Sequence, residues 1–121
     1  MAVKNYTELL VWQKAMELTA DVYRIVKMLP KEELFALSDQ MRRAAVSIPS
    51  NIAEGQARTS TREFLQFLSI AKGSKAELET QLILCVKVGY LANSDITVAM
   101  QLGQEVGKML NALMKTLNTA H

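Results

Sequence analysis

The sequence predicts one all-α domain, an antiparallel four-helix bundle with up-down-up-down topology. Half of the 121 residues are apolar, only two are proline and five are glycine, a composition that favours helices. Apolar residues recur at spacings of three and four in four stretches that short turns separate. No alternating run is long enough for a sheet, and a chain of this length suits a single bundle.

The first helix is predicted over about residues 7–29, with Thr7 as its cap and Pro30 as its end. Its predicted core stripe comprises Trp12, Ala15, Met16, Thr19, Val22, Tyr23, Val26 and Leu29. Other apolar residues fall off the main stripes: Leu10, Val11, Leu18, Ile25, Leu65 and Ile83. They indicate either a wider core or a second apolar face that is buried between subunits.

The second helix, about residues 33–56, contains a proline at an interior position. Its predicted core stripe comprises Leu34, Leu37, Met41, Ala44, Ala45, Ile48 and Ile52. Pro49 removes one backbone hydrogen bond, so we expect a kink and a hydroxyl from Ser47 or Ser50 on the freed backbone groups. Ser47, Asn51 and Glu54 share a neighbouring stripe with Arg43 and Arg58.

The third helix is predicted over about residues 61–88. Ser60 and Glu63 form the pattern of a capping box at its start, and Gly89 is the expected C′ residue. In a hairpin with the second helix, Gly73 would lie opposite Ala44, and two small-residue patches would let the backbones approach closely.

The fourth helix, about residues 95–117, has apolar residues close to a heptad pattern. Asp95 falls in its first turn, and the residues from about Asn118 to His121 are expected to fray.

The sequence lacks the residues that most catalytic and metal sites on a bundle require. The one histidine is the terminal His121, which disfavours a di-metal site and a nucleophile with a histidine base. Cys85 lies on an apolar face and is interpreted as a core residue. Asn51 and Glu54 are interpreted as partners of nearby arginines rather than as catalytic groups. We therefore expect no enzymatic activity, no cofactor and no metal.

The net charge of +2 is unevenly distributed along the chain. Residues 41–75 sum to +4, whereas residues 76–107 sum to −3. The candidate nucleic-acid-binding residues are the six cations of the first zone: Arg42, Arg43, Arg58, Arg62, Lys72 and Lys75. The alternative is that these side chains form a solvated face or pair with carboxylates. No aromatic residues are interleaved with them, so contacts to the phosphate backbone are expected rather than base stacking.

Several motifs resemble a known family. The most specific is Gln40-Met41-Arg42-Arg43-Ala44-Ala45-Val46-Ser47-Ile48-Pro49-Ser50-Asn51-Ile52-Ala53-Glu54-Gly55, with Val11-Trp12-Gln13-Lys14-Ala15 before it. Glu63 to Ser74, Glu77 to Leu82 and Gly89-Tyr90-Leu91 follow in order. The chain resembles the bacterial four-helix-bundle proteins encoded in intervening sequences of 23S ribosomal RNA genes. The signature residues that this resemblance marks as structural are Ser47, Pro49, Asn51, Glu54, Gly55 and Gly73.

The resemblance implies a homo-oligomer, with a ring of five subunits as the form associated with the family. The accessory protein of diversity-generating retroelements is similar in fold and engages nucleic acid through a basic surface. We therefore expect a homopentamer that binds RNA or DNA, structured RNA in particular, through the second and third helices. The alternative is a protein-interaction scaffold without nucleic acid. The single cysteine, and the lack of a signal peptide or membrane span, predict a cytoplasmic protein.

Overall fold

The computed structural model describes residues 5–119, which form four helices and two short 3₁₀ turns. The helices are α1 (Leu10–Val26), α2 (Leu37–Gln56), α3 (Thr61–Lys87) and α4 (Asn93–Thr119), and the turns are Tyr6–Glu8 and Lys31–Glu33. Each helix packs on its neighbours in sequence, and α4 packs back on α1. No strand occurs in the described part of the chain, so the predicted all-α four-helix bundle is confirmed.

The first two helices start later than predicted because 3₁₀ turns precede them. Thr7 does not cap α1: it lies within the first turn, where its backbone N–H donates to Asn5 Oδ1 at 2.8 Å. The second turn contains Glu33, and Glu33 Oε1 accepts a hydrogen bond from the Leu37 N–H at 3.3 Å. A carboxylate therefore lies at the start of α2, where the helix dipole favours negative charge.

Half of the core residues predicted for the first helix are buried, namely Ala15, Val22, Val26 and Leu29, and Val11, Leu18 and Ile25, predicted off the main stripe, are buried as well. The buried residues of α1 itself are Val11, Ala15, Leu18, Val22, Ile25 and Val26. Met16 and Tyr23, predicted to be core, are 45% and 43% exposed, and Leu10 is 70% exposed. The buried row and the exposed row of α1 are both apolar with similar spacing, so the local pattern did not decide which one faces the core. Leu34 is also exposed rather than buried, since it precedes α2.

Helix α2 continues through Pro49, and a side chain of α1 contacts the carbonyl that this proline leaves without its helical donor. That carbonyl belongs to Ala45, four residues earlier. Thr19 Oγ1 lies 3.0 Å from Ala45 O and 2.8 Å from Ala15 O, so its one proton is shared between two acceptors. The prediction that Ser47 or Ser50 would serve this carbonyl was wrong, because the partner comes from the neighbouring helix.

The close approach between α2 and α3 occurs at Gly55, not at Gly73. A Cβ atom built on Gly55 would lie 2.7 Å from Phe67 Cβ and 3.0 Å from Phe64 Cδ1. A Cβ atom on Gly73 would have no neighbour within 4 Å among the described residues, and Gly73 is exposed. The predicted contact between Gly73 and Ala44 is therefore wrong, because Gly73 lies on the outer side of α3.

The ends of α3 follow the sequence prediction. Ser60 Oγ accepts a hydrogen bond from the Glu63 N–H at 3.1 Å, as in a capping box. The Glu63 carboxylate accepts its hydrogen bond from the Ser60 hydroxyl instead of from the Ser60 N–H. Gly89 has a φ of +88°, and the Tyr90 N–H donates to Cys85 O at 2.9 Å. This is a Schellman motif, in which a glycine permits the left-handed residue that ends the helix.

Candidate nucleic-acid interface

The structure does not gather the six predicted cations into one cluster. Arg42 and Arg43 lie in the first half of α2, whereas Arg58 lies two residues past the end of that helix. Arg43 and Arg58 are fifteen residues apart, about 22 Å along a helix. The six side chains also fall into three groups by their partners. Arg42, Arg43 and Arg58 pair with carboxylates at the surface, Lys75 forms a partly buried pair, and Arg62 and Lys72 have no carboxylate partner among residues 5–119.

Arg42 and Arg43 share one carboxylate, that of Asp39. Arg43 Nε lies 3.1 Å from Asp39 Oδ2, and Arg42 Nη2 lies 4.0 Å from Asp39 Oδ1. Arg42 Nη2 also donates to the Leu34 carbonyl at 3.3 Å, which ties the loop before α2 to the helix. The Arg43 side chain is 79% exposed, so most of its guanidinium faces solvent despite the ion pair.

Arg58 holds the turn between α2 and α3. Its Nη2 donates to Glu54 Oε2 at 3.0 Å, and its guanidinium carbon lies 4.8 Å from the centre of the Phe67 ring. The interpretation of Glu54 as a partner of a nearby arginine is therefore confirmed. Phe67 also meets Gly55 at the close approach of the two helices. These contacts link the signature residues Glu54 and Gly55 to the packing of the turn.

Lys75 is turned toward α4 and pairs with Glu79 at 2.9 Å. The side chains are only 16% and 21% exposed, respectively. They lie against two glycines four residues apart in α4: a Cβ on Gly107 would be 2.9 Å from Lys75 Cε, and a Cβ on Gly103 would be 2.9 Å from Glu79 Oε2. Lys75 is therefore part of the α3–α4 contact. Lys75 and Glu79 are four residues apart, as are Gly103 and Gly107. These matching spacings are a signal for the contact in the sequence, but our prediction for Lys75 did not use it.

Arg62 and Lys72 form the third group: both are exposed, and neither has a carboxylate within 4.0 Å among residues 5–119. Arg62 lines a surface groove with Leu65 of α3 and with Leu117 and Asn118 of α4. It therefore lies at the boundary of α3 with α4, and not on the α2–α3 surface that the sequence predicted.

The signature residues Ser47 and Asn51 form a polar contact between α2 and α3. Ser47 Oγ lies 2.8 Å from Ser74 Oγ, and Asn51 Nδ2 donates to both the carbonyl and the hydroxyl of Ser47, at 2.7 and 2.9 Å. Asn51 was predicted to satisfy an arginine and instead satisfies its own helix. These groups position two helices and have no titratable member.

Cys85 is a buried core residue, as predicted, beside Met41. Burial raises the pKa of its thiol, and the charge of Glu33 raises it further. The hydrogen bond from Tyr90 Oη to Glu33 Oε2, 2.8 Å long, similarly raises the pKa of that phenol. Both shifts stabilise the protonated forms, which are poor nucleophiles.

Within residues 5–119, no three histidine, cysteine, aspartate or glutamate side chains come together in a way that could hold a metal ion. Within the same range, every helix is too short or too polar to cross a membrane.

A shallow apolar groove lies between α1 and α2, on the side that carries the exposed row of α1. Its lining residues are Trp12, Met16, Thr19, Tyr23, Val46, Pro49, Ser50 and Ala53. Met16, Tyr23 and Val46 are all exposed. Four of the eight core residues predicted for the first helix line this groove: Trp12, Met16, Thr19 and Tyr23.

Comparisons with known proteins agree with the motifs. The family model described as "23S rRNA-intervening sequence protein" matches residues 7–112. A crystal structure at 1.70 Å resolution, of a protein with unknown function from the S23 ribosomal protein family of Bacteroides thetaiotaomicron, superposes with a TM-score of 0.81. It is 26% identical and covers 88% of this chain and 99% of its own. No curated protein matches the sequence.

Proposed function

Because the chain belongs to the 23S rRNA-intervening sequence protein family, we propose that it is a non-enzymatic protein that binds nucleic acid, structured RNA in particular. We expect it to act in the cytoplasm as a homo-oligomer, a pentamer by the resemblance of its motifs. The observation that carries the proposal is that Arg62 and Lys72 are exposed and form no ion pair with a carboxylate of residues 5–119.

The paired arginines of α2 do not exclude this function. Arg43 and Arg58 pair with carboxylates four residues away on exposed surface. Such pairs contribute about 0.3–0.5 kcal/mol, so a phosphate can replace the carboxylate at little cost. Lys75 is different, because its partly buried pair packs against α4. We therefore omit Lys75 from the binding residues and assign the contacts to Arg62 and Lys72, while the paired Arg42, Arg43 and Arg58 are not required for them.

The contacts would be made to phosphates rather than to bases. Phe67 lies beneath Arg58 and packs against Gly55, so it is not free to stack on a nucleobase. Tyr6 and Trp12 pack edge to face with ring centres 5.4 Å apart, on the α1 side of the bundle. Phe35 is 91% exposed, but it lies before α2, at the opposite end of the α2–α3 hairpin from Arg62. Cations without an aromatic ring beside them favour recognition of backbone shape, and repetition around an oligomer would increase the avidity of weak contacts.

The test is a binding titration of the purified protein with a fluorescent RNA hairpin and a DNA duplex of equal charge, at 50 and 200 mM salt. We expect the affinity to fall steeply as salt rises, because phosphate contacts release counterions. Absence of binding to both probes at 50 mM salt would refute the proposal. Affinity that does not change with salt would refute the phosphate mechanism.

The second candidate function is a protein-interaction scaffold, which the apolar groove between α1 and α2 favours. A second copy of the chain is its expected occupant. Light scattering of Met16→Glu and Val46→Glu, with the exposed Val98→Glu of α4 as the control, tests this. We expect both groove variants to dissociate the oligomer and Val98→Glu to leave it assembled. A monomeric wild-type protein, or groove variants that still assemble, would refute it.

A further inference from the structure

We propose that the outer surface of α3 and α4 is the face that binds the phosphate backbone of nucleic acid. We define this α3–α4 cationic face by its four exposed cations: Arg62, Lys72, Lys108 and Lys115. The inference rests on the function proposed above, and it assigns that function to a surface other than the α2–α3 surface predicted from the sequence.

The two cations of α3 lie on the side of that helix which faces α4. Lys75 and Glu79 mark this side, because they contact Gly107 and Gly103 of α4. Lys72 precedes Lys75 by three residues and therefore lies on the same side of α3, where it is exposed to solvent. Arg62 is placed there independently by the groove that it lines with Asn118 of α4.

The two cations of α4 lie beside them. Lys108 follows Gly107, which meets Lys75, so Lys108 lies almost level with Lys72 along the bundle. Lys115 precedes Asn118 by three residues, and Asn118 lines the groove with Arg62. Since α3 and α4 are antiparallel neighbours, the four cations occupy a length of about 18 Å, the rise of twelve helical residues.

None of these four cations has a carboxylate within 4.0 Å in the part of the chain that the structure describes. By contrast, Arg42, Arg43 and Arg58 of the α2 surface all pair with a carboxylate. The two helices of the face nevertheless contain carboxylates of their own, and the positions of these residues decide its charge.

Each of those carboxylates is either already paired or lies on another side of its helix. Glu79 is neutralised by Lys75, and Glu105 lies 3.8 Å from Lys14 of α1. Asp95 accepts a hydrogen bond from the Ala92 N–H at the start of α4. On α3, Glu63 and Glu77 belong to the α2 side, because Phe67 and Ser74, four and three residues away, contact Gly55 and Ser47 of α2. Within residues 5–119, the α3–α4 cationic face is therefore positively charged, and no unpaired carboxylate lies between its four cations.

The spacing of the charges fits a nucleic-acid backbone. A duplex carries one negative charge per about 1.7 Å of its axis, so a phosphate can be found near each cation along an 18 Å face. Four phosphate contacts correspond to a slope of log affinity against log salt of about −3.6 on duplex DNA. A fourfold increase in salt would then weaken binding by about 150-fold.

The test compares two triple variants that remove the same charge. Lys72→Gln, Lys108→Gln and Lys115→Gln remove three unpaired cations from the face, whereas Arg42→Gln, Arg43→Gln and Arg58→Gln remove three carboxylate-paired cations from the α2 surface. Each is titrated with the RNA hairpin and the DNA duplex at 50 and 200 mM salt. Circular dichroism and thermal unfolding check that both variants keep the helical fold.

We expect the lysine variant to lose at least about tenfold in affinity at 50 mM salt and to have a salt slope near −0.9, while the arginine variant stays close to wild type. Wild-type affinity in the lysine variant, or an equal loss in both variants, would overturn the assignment of the face while leaving nucleic-acid binding intact. Wild-type protein that binds neither probe would overturn the proposed function itself. The two failures are therefore distinguishable.

Discussion

Replacing each of two glycines by alanine tests the packing of α2 against α3, because the structure predicts opposite effects. At Gly55 a new Cβ would lie 2.7 Å from Phe67 Cβ, an atom next to the backbone that cannot move without shifting α3. Overpacking of this kind costs about 1–3 kcal/mol, partly offset by about 1 kcal/mol from the better helix propensity of alanine. At Gly73 the space is open among the described residues, so only the gain of about 0.5–1 kcal/mol remains.

The assay is thermal and urea unfolding at one fixed protein concentration, since assembly would make the melting temperature depend on concentration. For 121 residues, 1 kcal/mol corresponds to about 4 °C. We expect Gly73→Ala to raise the melting temperature by about 2–4 °C and Gly55→Ala to lower it by up to about 8 °C. A Gly55→Ala variant that is stabilised as much as Gly73→Ala would refute the close approach at Gly55. A destabilised Gly73→Ala would show that Gly73 faces a neighbour.

Two more predictions concern buried groups. Thr19→Val should lower the free energy of unfolding by about 1 kcal/mol in the wild-type background, because it removes the donor to the Ala45 carbonyl. The loss should be smaller in a Pro49→Ala background, where residue 49 regains an N–H for that carbonyl. Equal losses in a double-mutant cycle measured by urea unfolding would disprove this role of Thr19. Burial, with the charge of Glu33, raises the pKa of the Cys85 thiol in the folded state. The contribution of the protonated thiol to stability is therefore complete below the unfolded pKa of about 8.5 and is lost as pH rises through the higher folded pKa. The gap in urea midpoint between wild type and Cys85→Ala should therefore narrow from pH 7.5 to 9.5, and a constant gap would contradict it.

Local sequence rules were sufficient for the ends of α3. Ser60 with Glu63, and Gly89 with the residue after it, are signals in which the interacting groups lie within a few positions of each other. The overall number and order of the helices followed for the same reason, since apolar periodicity is a local property.

The errors concern contacts between residues that are distant in the chain. The row of α1 that faces the core depends on α2 and α4, and the sequence of α1 offered two apolar rows. Thr19 lies 26 residues from Ala45, and no local pattern connects them. Likewise, Gly55 and Gly73 differ only in what lies opposite each of them.

The predicted site shows the same division. The sequence left open whether its cations would be exposed or paired with carboxylates. The pairs of Arg43 and Arg58 could be anticipated, because each has a carboxylate four residues away. The position of Lys108 and Lys115 beside Lys72 could not be read from the chain, because it depends on how α4 packs on α3.

The most direct test of the account is the salt dependence of RNA-hairpin binding for the variant with Lys72, Lys108 and Lys115 changed to glutamine. Our account predicts that its slope falls to about one quarter of the wild-type value, since one of four phosphate contacts remains. A slope equal to that of the wild-type protein would contradict it.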